Sequence, residues 1–235
     1  MTLSTALNVA LSGLASASRA SGLVSENIAN AMTPGYARRS LELATNGVSG
    51  GVRVTGITRN SDPIITANRR ASEAAHGEAS TLAGFFSAFE ALVGGPDDPY
   101  SIASRQAEFE GALISAASNP GSKTRLDGAV AAAASLARAI SGAAEGLRGK
   151  RSDAERSIGQ QVERLNSALK DVEDLNARIQ SVKLSGHDTA TLLDQRQLLV
   201  DEINVIVPVR IAQRQHGAIA LYSEGGAILP DNSPF

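Results

Sequence analysis

From Leu3 onward, apolar and small residues recur at alternating steps of four and three: Leu3, Leu7, Ala10, Leu14, Ala17, Ser21, Val24 and Ile28. That 3.5-residue spacing turns one face of a helix toward a partner helix. It predicts a helix over 3–31, roughly 42 Å long at 1.5 Å per residue. The seam is large at its ends and small in its middle, which allows close approach. Only Arg19 and Glu26 are charged in the first 37 residues. Gly13 and Gly22 each cost about 1 kcal/mol relative to alanine, and one narrow seam does not offset backbone ordering alone. The helix therefore either docks on its own domain or orders against neighbouring subunits.

Thr33-Pro34-Gly35-Tyr36 fits a type II turn, with proline presetting φ and glycine accepting φ > 0. Pro34 also pushes Thr33 out of the helical region and so ends the helix. Two short runs of alternating residues follow, "RRSLELAT" and "GGVRVTGITR", separated by Asn46-Gly47 and Gly50-Gly51. They read as a hairpin. Helical patterns then cover 63–93, 102–118, about 123–184 and "TATLLDQRQLLVDEINVI" up to Pro208. The loop "GGPDDPY", with Asp97 and Asp98, reads as a turn rather than a metal site.

The longest of these patterns carries a second seam: Ile158, Val162, Leu165, Leu169, Val172, Asn176, Ile179 and Val182. Asn176 lies in it, where a buried polar residue fixes register between paired helices. After Pro208, β-formers alternate again in "VRIAQRQ", "AIALYSE" and "AILPD". The expected fold is mainly α, with long coiled-coil-like helices, a small β-hairpin after the first helix and the start of a β-region. The divisions read as 1–37 (assembly helix and turn), 38–60 (hairpin), 61–208 (helical rod domain) and 209–235 (opening of a β-domain that the sequence does not close).

Composition narrows the function. Net charge is −2, so no bulk pull toward nucleic acid or anionic lipid is expected. Five phenylalanines, three tyrosines and no tryptophan leave few stacking platforms for bases. Cysteine is absent, which removes disulfides, thiolate nucleophiles and Cys-type zinc sites. No apolar run is long enough for a membrane span. Leu11 to Ala17 resembles a signal-peptide core, but no Lys or Arg precedes Arg19, so a cleaved signal is not expected.

No catalytic or metal constellation stands out. His76, His187 and His216 form no HExxH pair, and the latter two sit beside glycines in turn-like contexts. G-x-S-x-G and P-loop motifs are both absent. No catalytic residue, metal ligand or cofactor is assigned.

"SENIANAMTPGYARR" resembles the N-terminal signature of the flagellar axial proteins, the family of rod, hook and hook-associated subunits. Asn27, Ile28, Ala29, Asn30, Thr33, Pro34, Gly35 and Tyr36 carry the resemblance. Met32 stands where the family often has Asn. The helical array, with "LLDQRQLLVDEIN" containing Leu192, Leu193, Asp194, Gln195 and Arg196, is similar to the hook-associated branch. Rod and hook subunits generally enter β-domains directly after the hairpin.

The resemblance implies a non-enzymatic structural subunit at the hook–filament junction, exported without a cleaved signal to the extracellular flagellum. Its implied partners are the hook protein, the next hook-associated protein, further copies in a helical assembly, and the export apparatus with its chaperone. Nucleic acid and membrane insertion are not among them. The C-terminal helix that pairs with the first helix in this family is absent, so the sequence is expected to be an N-terminal portion. The seam from Leu3 to Ile28 is the expected assembly interface. A hook or distal-rod protein, or a coiled-coil adaptor built on the 158–182 seam, are the alternative readings.

Overall fold

A computed structural model of the chain describes residues 2–47 and 50–229. The elements in chain order are α1 (Leu3–Ala29), β1 (Arg39–Thr45), β2 (Val52–Arg59), α2 (Pro63–Val93), α3 (Ile102–Ser118), α4 (Lys123–Leu184), α5 (Ala190–Ile206), β3 (Val209–Gln213) and β4 (Ile219–Ser223). The expected helices and both hairpins are thus present. Of the expected β-run "AILPD", Ile228 forms only an isolated bridge to Tyr222, and its last two residues lie outside the described ones. The α2, α3 and α4 boundaries coincide with their sequence patterns. Proline, glycine and asparagine at these ends set local backbone rules that do not depend on the rest of the fold. At the end of α4, for example, Gly186 has a φ of 74°. The amide of Gly186 bonds the carbonyl of Lys183, and that of His187 bonds Val182, both at 3.1 Å. This is the Schellman arrangement, and it accounts for the turn position of His187.

The chain forms two units, with boundaries inside α2 (Ala75/His76) and α4 (Val162/Glu163). The smaller unit contains the later part of α2, α3 and the first part of α4. Ser101 caps α3 by accepting from the Ser104 amide at 3.1 Å. Asp98 accepts from the Tyr100 amide at 2.7 Å, an Asx turn that gives the "PDD" stretch a local role. Gly146 of α4 lies against the Leu92 side chain of α2, and Arg105 of α3 bonds Ser135 of α4.

The larger unit holds the two hairpins, α1, the start of α2, the end of α4, and α5. In the first hairpin β1 and β2 pair antiparallel from Arg39↔Arg59 to Thr45↔Val52, with a bulge at Glu42/Leu43. In the second, β3 and β4 pair from Val209↔Ser223 to Gln213↔Ile219. The core of this unit is Ala168, Leu169 and Val172 of α4, Val200 and Ile203 of α5, and Ile219 and Leu221 of β4.

That core corrects the adaptor reading. Only the later part of the α4 seam is buried, namely Leu169, Val172, Asn176 and Ile179, with Leu165 packed beside it. Its cover is α5 and β4 of the same chain. Ile158 and Val162 remain exposed. Asn176 pins a strand instead of setting a helix–helix register. Its Nδ2 donates to the Ile219 carbonyl at 2.8 Å, and its Oδ1 accepts from the Ile219 amide at 3.2 Å. The side-chain amide thereby mimics a neighbouring strand's peptide, which satisfies two buried backbone groups.

A charge placed in this covered seam should therefore unfold the unit rather than dissociate a dimer. Val172→Asp is expected to lose about 3–5 kcal/mol of stability by urea unfolding. Ile158→Asp should stay within about 0.5 kcal/mol of the parent. Light scattering should show no dimer held by this seam in either the parent or the variants.

Candidate functional site

The turn after α1 is built by the residues of the N-terminal signature. The Tyr36 amide donates to the Thr33 carbonyl at 3.2 Å, and Gly35 has a φ of 77°, as a type II turn requires. Asn30 closes α1 by donating Nδ2 to the Glu26 carbonyl at 3.0 Å, and accepts from the Thr33 hydroxyl at 3.2 Å. Asn27 reaches across the turn. Its Nδ2 donates to the Arg39 carbonyl, and its Oδ1 accepts from the Arg39 amide and the Tyr36 hydroxyl, each at 2.8 Å. A single side-chain amide therefore ties the last turn of α1 to the first residue of β1.

The second motif meets the first here. Asp194 of α5 is buried. Its Oδ2 accepts from Arg39 Nη2 at 2.9 Å. Its Oδ1 accepts from Arg59 Nε at 2.6 Å and from the Ala37 amide at 3.3 Å. Arg59 also donates to Gln197 of α5. The two arginines face each other across the hairpin base, where like charges repel. One carboxylate accepts from both, so repulsion becomes two charge-assisted hydrogen bonds. Burial opposes the charge on Arg39, but its bond to Asp194 and the attraction to it outweigh that, holding its pKa above the usual arginine value. The Arg39 guanidinium also lies 4.9 Å from the centre of the Tyr36 ring.

Gly35 completes the joint. A Cβ added there would lie 2.6 Å from Leu198 Cγ, and its φ already excludes most side chains. The glycine thus serves both the turn and the close approach of α5.

Seven residues further along α5, Asp201 repeats the device, accepting from Arg70 Nε and Arg69 Nη2 of α2, each at 2.6 Å. Asn204 donates to the Arg70 carbonyl at 2.9 Å and accepts from the Val209 amide at 3.2 Å. Asp194, Gln197, Asp201 and Asn204 form a polar stripe at steps of three and four along α5. That stripe anchors the turn, the first hairpin, α2 and β3.

The singled-out residues fall into three groups. Asn27, Asn30, Thr33, Gly35, Tyr36 and Asp194 meet in the joint, with Pro34 exposed in the turn. Arg196 is buried beside it, Leu192 and Leu193 are half-buried, and Gln195 faces solvent. The residues Leu3, Leu7, Ala10, Leu14, Ala17, Ser21, Val24 and Ile28 all lie exposed on α1, as does Ala29. α1 meets the hairpin through a different face, in which Ser16 and Leu23 are buried and Thr5, Val9, Ser12, Ala20 and Asn27 partly so. Near the hairpin tip, the Val52 amide donates to Ser12 Oγ at 3.2 Å.

The sequence assigned no role to Arg39 or Arg59, and Gln197 and Leu198 entered only as part of "LLDQRQLLVDEIN". The only local signal was the Arg38-Arg39 pair directly after the turn, and the partners are more than a hundred residues away. Among the described residues no group of three or more His, Asp or Glu is arranged to hold a metal ion. Among the described residues no helix is long and apolar enough to cross a membrane.

Removing the carboxylate should loosen the joint. Asp194→Asn is expected to cost about 3 kcal/mol, because Arg39 and Arg59 then face each other uncompensated. Gly35→Ala should cost about 1–2 kcal/mol from its φ alone, plus the clash with Leu198. Adding Leu198→Ala to it should relieve the clash but not the backbone term. Urea unfolding of the four-member cycle would measure that coupling, and simple additivity would refute the contact.

The family model of the flagellar hook-associated protein FlgK helical domain matches residues 86–233. Flagellar hook-associated protein 1 of Salmonella typhimurium is 30% identical over 98% of this chain and 43% of its own length. The Escherichia coli protein of the same name is 26% identical over 98% of this chain and 44% of its own. The solved flagellar hook junction protein FlgK from Burkholderia pseudomallei shares the fold, with a TM-score of 0.57 and 23% identity over 68% of this chain and 28% of that one. The chain thus spans less than half the length of these relatives, and it belongs to the FlgK family of flagellar hook-associated proteins.

Proposed function

We propose that this chain is a structural subunit of the bacterial flagellum that assembles at the hook–filament junction through the outer face of α1. The observation that carries the reading is the exposure of a large apolar seam on a nearly uncharged helix. Leu3 is 89% exposed, Leu14 69% and Ile28 72%. An ordinary surface helix turns such residues inward and its small or polar ones outward. Here the inner face buries Ser16 and Leu23, and Leu3, Leu7, Leu14, Val24 and Ile28 are left for other partners. Burying each would gain about 1.5–3 kcal/mol, which favours association over isolation.

On this reading the Asn27–Arg39–Asp194 joint sets the angle at which the assembly helix leaves the rest of the larger unit. The contacts of the assembled subunit are the hook protein on one side, the next hook-associated protein on the other, and copies of itself around the axis. Delivery is through the flagellar export apparatus, assisted by a chaperone and without signal cleavage, to the extracellular flagellum. The role is architectural, and the family match together with the absence of any catalytic constellation in the sequence supports it.

Leu7→Asp and Leu14→Asp, introduced singly into the bacterial gene, should abolish filament attachment and swimming. The purified variants should keep the helical circular dichroism of the parent, because both side chains are already exposed. Normal filaments on cells carrying either variant would refute the assembly face.

A further inference from the structure

In the larger unit a cleft of about 620 Å³ opens between the start of α2, α5 and the second hairpin. Its size falls in the range of ligand-binding clefts. Arg59, Arg70, Arg196 and Arg210 line it, with Glu224 as the acid in the lining. Asp194 already neutralises Arg59, and Asp201 neutralises Arg70. Arg196 and Arg210 form no ion pair among the described residues.

Arg196 is the unusual member. It is only 7% exposed, yet its Nη1 donates to neutral acceptors alone, Asn176 Oδ1 and the Gly217 carbonyl, each at 2.8 Å. Its Nε and Nη2 make no hydrogen bond to a described residue. Desolvation, and then repulsion from Arg59, lowers its pKa to about 10, so it remains a cation at neutral pH. A buried cation without a counter-ion is costly, and an incoming carboxylate would recover part of that cost.

The cleft also contains an open strand edge. β3 pairs only with β4. The other edge of β4 is taken by residues 227–229: Tyr222 bridges Ile228, the Ser223 amide bonds the Ala227 carbonyl, and the Leu229 amide bonds the Leu221 carbonyl. Those bonds point Ser223 and Leu221 away from β3. By the alternation of an antiparallel pair, their partners Val209 and Ile211, and likewise Gln213, turn their backbone groups to the outer edge. Asn204 caps the Val209 amide. The amides of Ile211 and Gln213 have no acceptor among the described residues, and both residues line the cleft. An unpaired edge of this kind is a template for an added strand.

We propose that this cleft binds an extended, carboxylate-bearing segment of another polypeptide, which adds a strand to β3 and seats its carboxylate against Arg196, on the sheet face that Ile211 and Gln213 share with Ile219 and Leu221. Charge complementarity selects the acidic side chain. Leu193 and Val200, on the same face of α5 as Arg196, line the cleft wall and receive apolar side chains two residues to either side of the acidic one, which share its face of the strand. The site is separate from the α1 seam and does not depend on the role of that seam in assembly.

The test uses the whole 235-residue chain and a labelled, end-blocked Val-Thr-Glu-Thr-Val peptide, compared with its glutamine counterpart by fluorescence anisotropy. The glutamate peptide should bind at least about tenfold more tightly at low salt. The backbone NMR signals of Ile211 and Gln213 should shift on binding. Arg196→Gln, which keeps a donor for Asn176 and the Gly217 carbonyl, should erase the preference for glutamate and leave binding of the glutamine peptide in place. Ile211→Pro should weaken both peptides while leaving the melting temperature near that of the parent, because its amide lies on an edge. Equal binding of the two peptides, unmoved Ile211 and Gln213 signals, or displacement of the peptide by inorganic phosphate at equal concentration would each overturn the proposal. The last outcome would reduce the cleft to a small-anion site.

Discussion

Asp194 is the group on which the arrangement of the larger unit depends. Two arginines stand opposite each other at the base of the first hairpin, and among the described residues Asp194 is the carboxylate that bonds both. Glu26 approaches Arg39 only at 3.7 Å and is itself exposed. Without Asp194 the hairpin base would carry two half-buried positive charges side by side. With it, the same charges lock the hairpin and the preceding turn to α5. Buried ion pairs offer little net stability over apolar packing, but breaking one is expensive. The joint is therefore best understood as a device for specifying geometry, not as a source of stability.

The geometry it specifies concerns α1. Asn27 bonds both backbone groups of Arg39, and Arg39 in turn bonds Asp194, so the last turn of the helix is tied to α5 through one residue. Toward its start the helix is held by small contacts, Ser12 and Val9 against the hairpin tip at Gly50 and Gly51. Ser12, Ser16 and Ala20 on the inner face let the helix lie close to the hairpin, with Leu23 as the large side chain buried there. Leu3, Leu7, Leu11 and Leu14 stay outside. The helix thus has two faces, one seated on its own unit and one left exposed.

α5 combines two kinds of packing on one helix. Its apolar residues Val200 and Ile203 close the core against α4 and β4. Its polar stripe distributes the charges of the first hairpin and α2. Arg196 lies between these faces and is held by carbonyl oxygens alone, which leaves an uncompensated cation beside an open strand edge.

Local chemistry was enough to place the secondary structure. Periodicity marked the helices, and Pro34, Gly35, Asn119-Pro120 and Gly186 set their ends, because a proline or a positive φ restricts the backbone whatever surrounds it. The signature from Asn27 to Tyr36 and the motif around Asp194 were also legible as two separate stretches. Their meeting was not. The arginines that join them lie 155 and 135 positions from Asp194, and a charge on a strand carries no local mark of its distant partner.

The seams show the same division. Spacing identified both, but a seam states only that a face wants cover. Tertiary packing decided that the end of the α4 seam is covered by α5 and β4 of its own chain, whereas the α1 seam from Leu3 to Ile28 is left bare. The physical reason is that hydrophobic burial is non-directional, so the pattern fixes which face is apolar and the completed fold fixes what reaches it first.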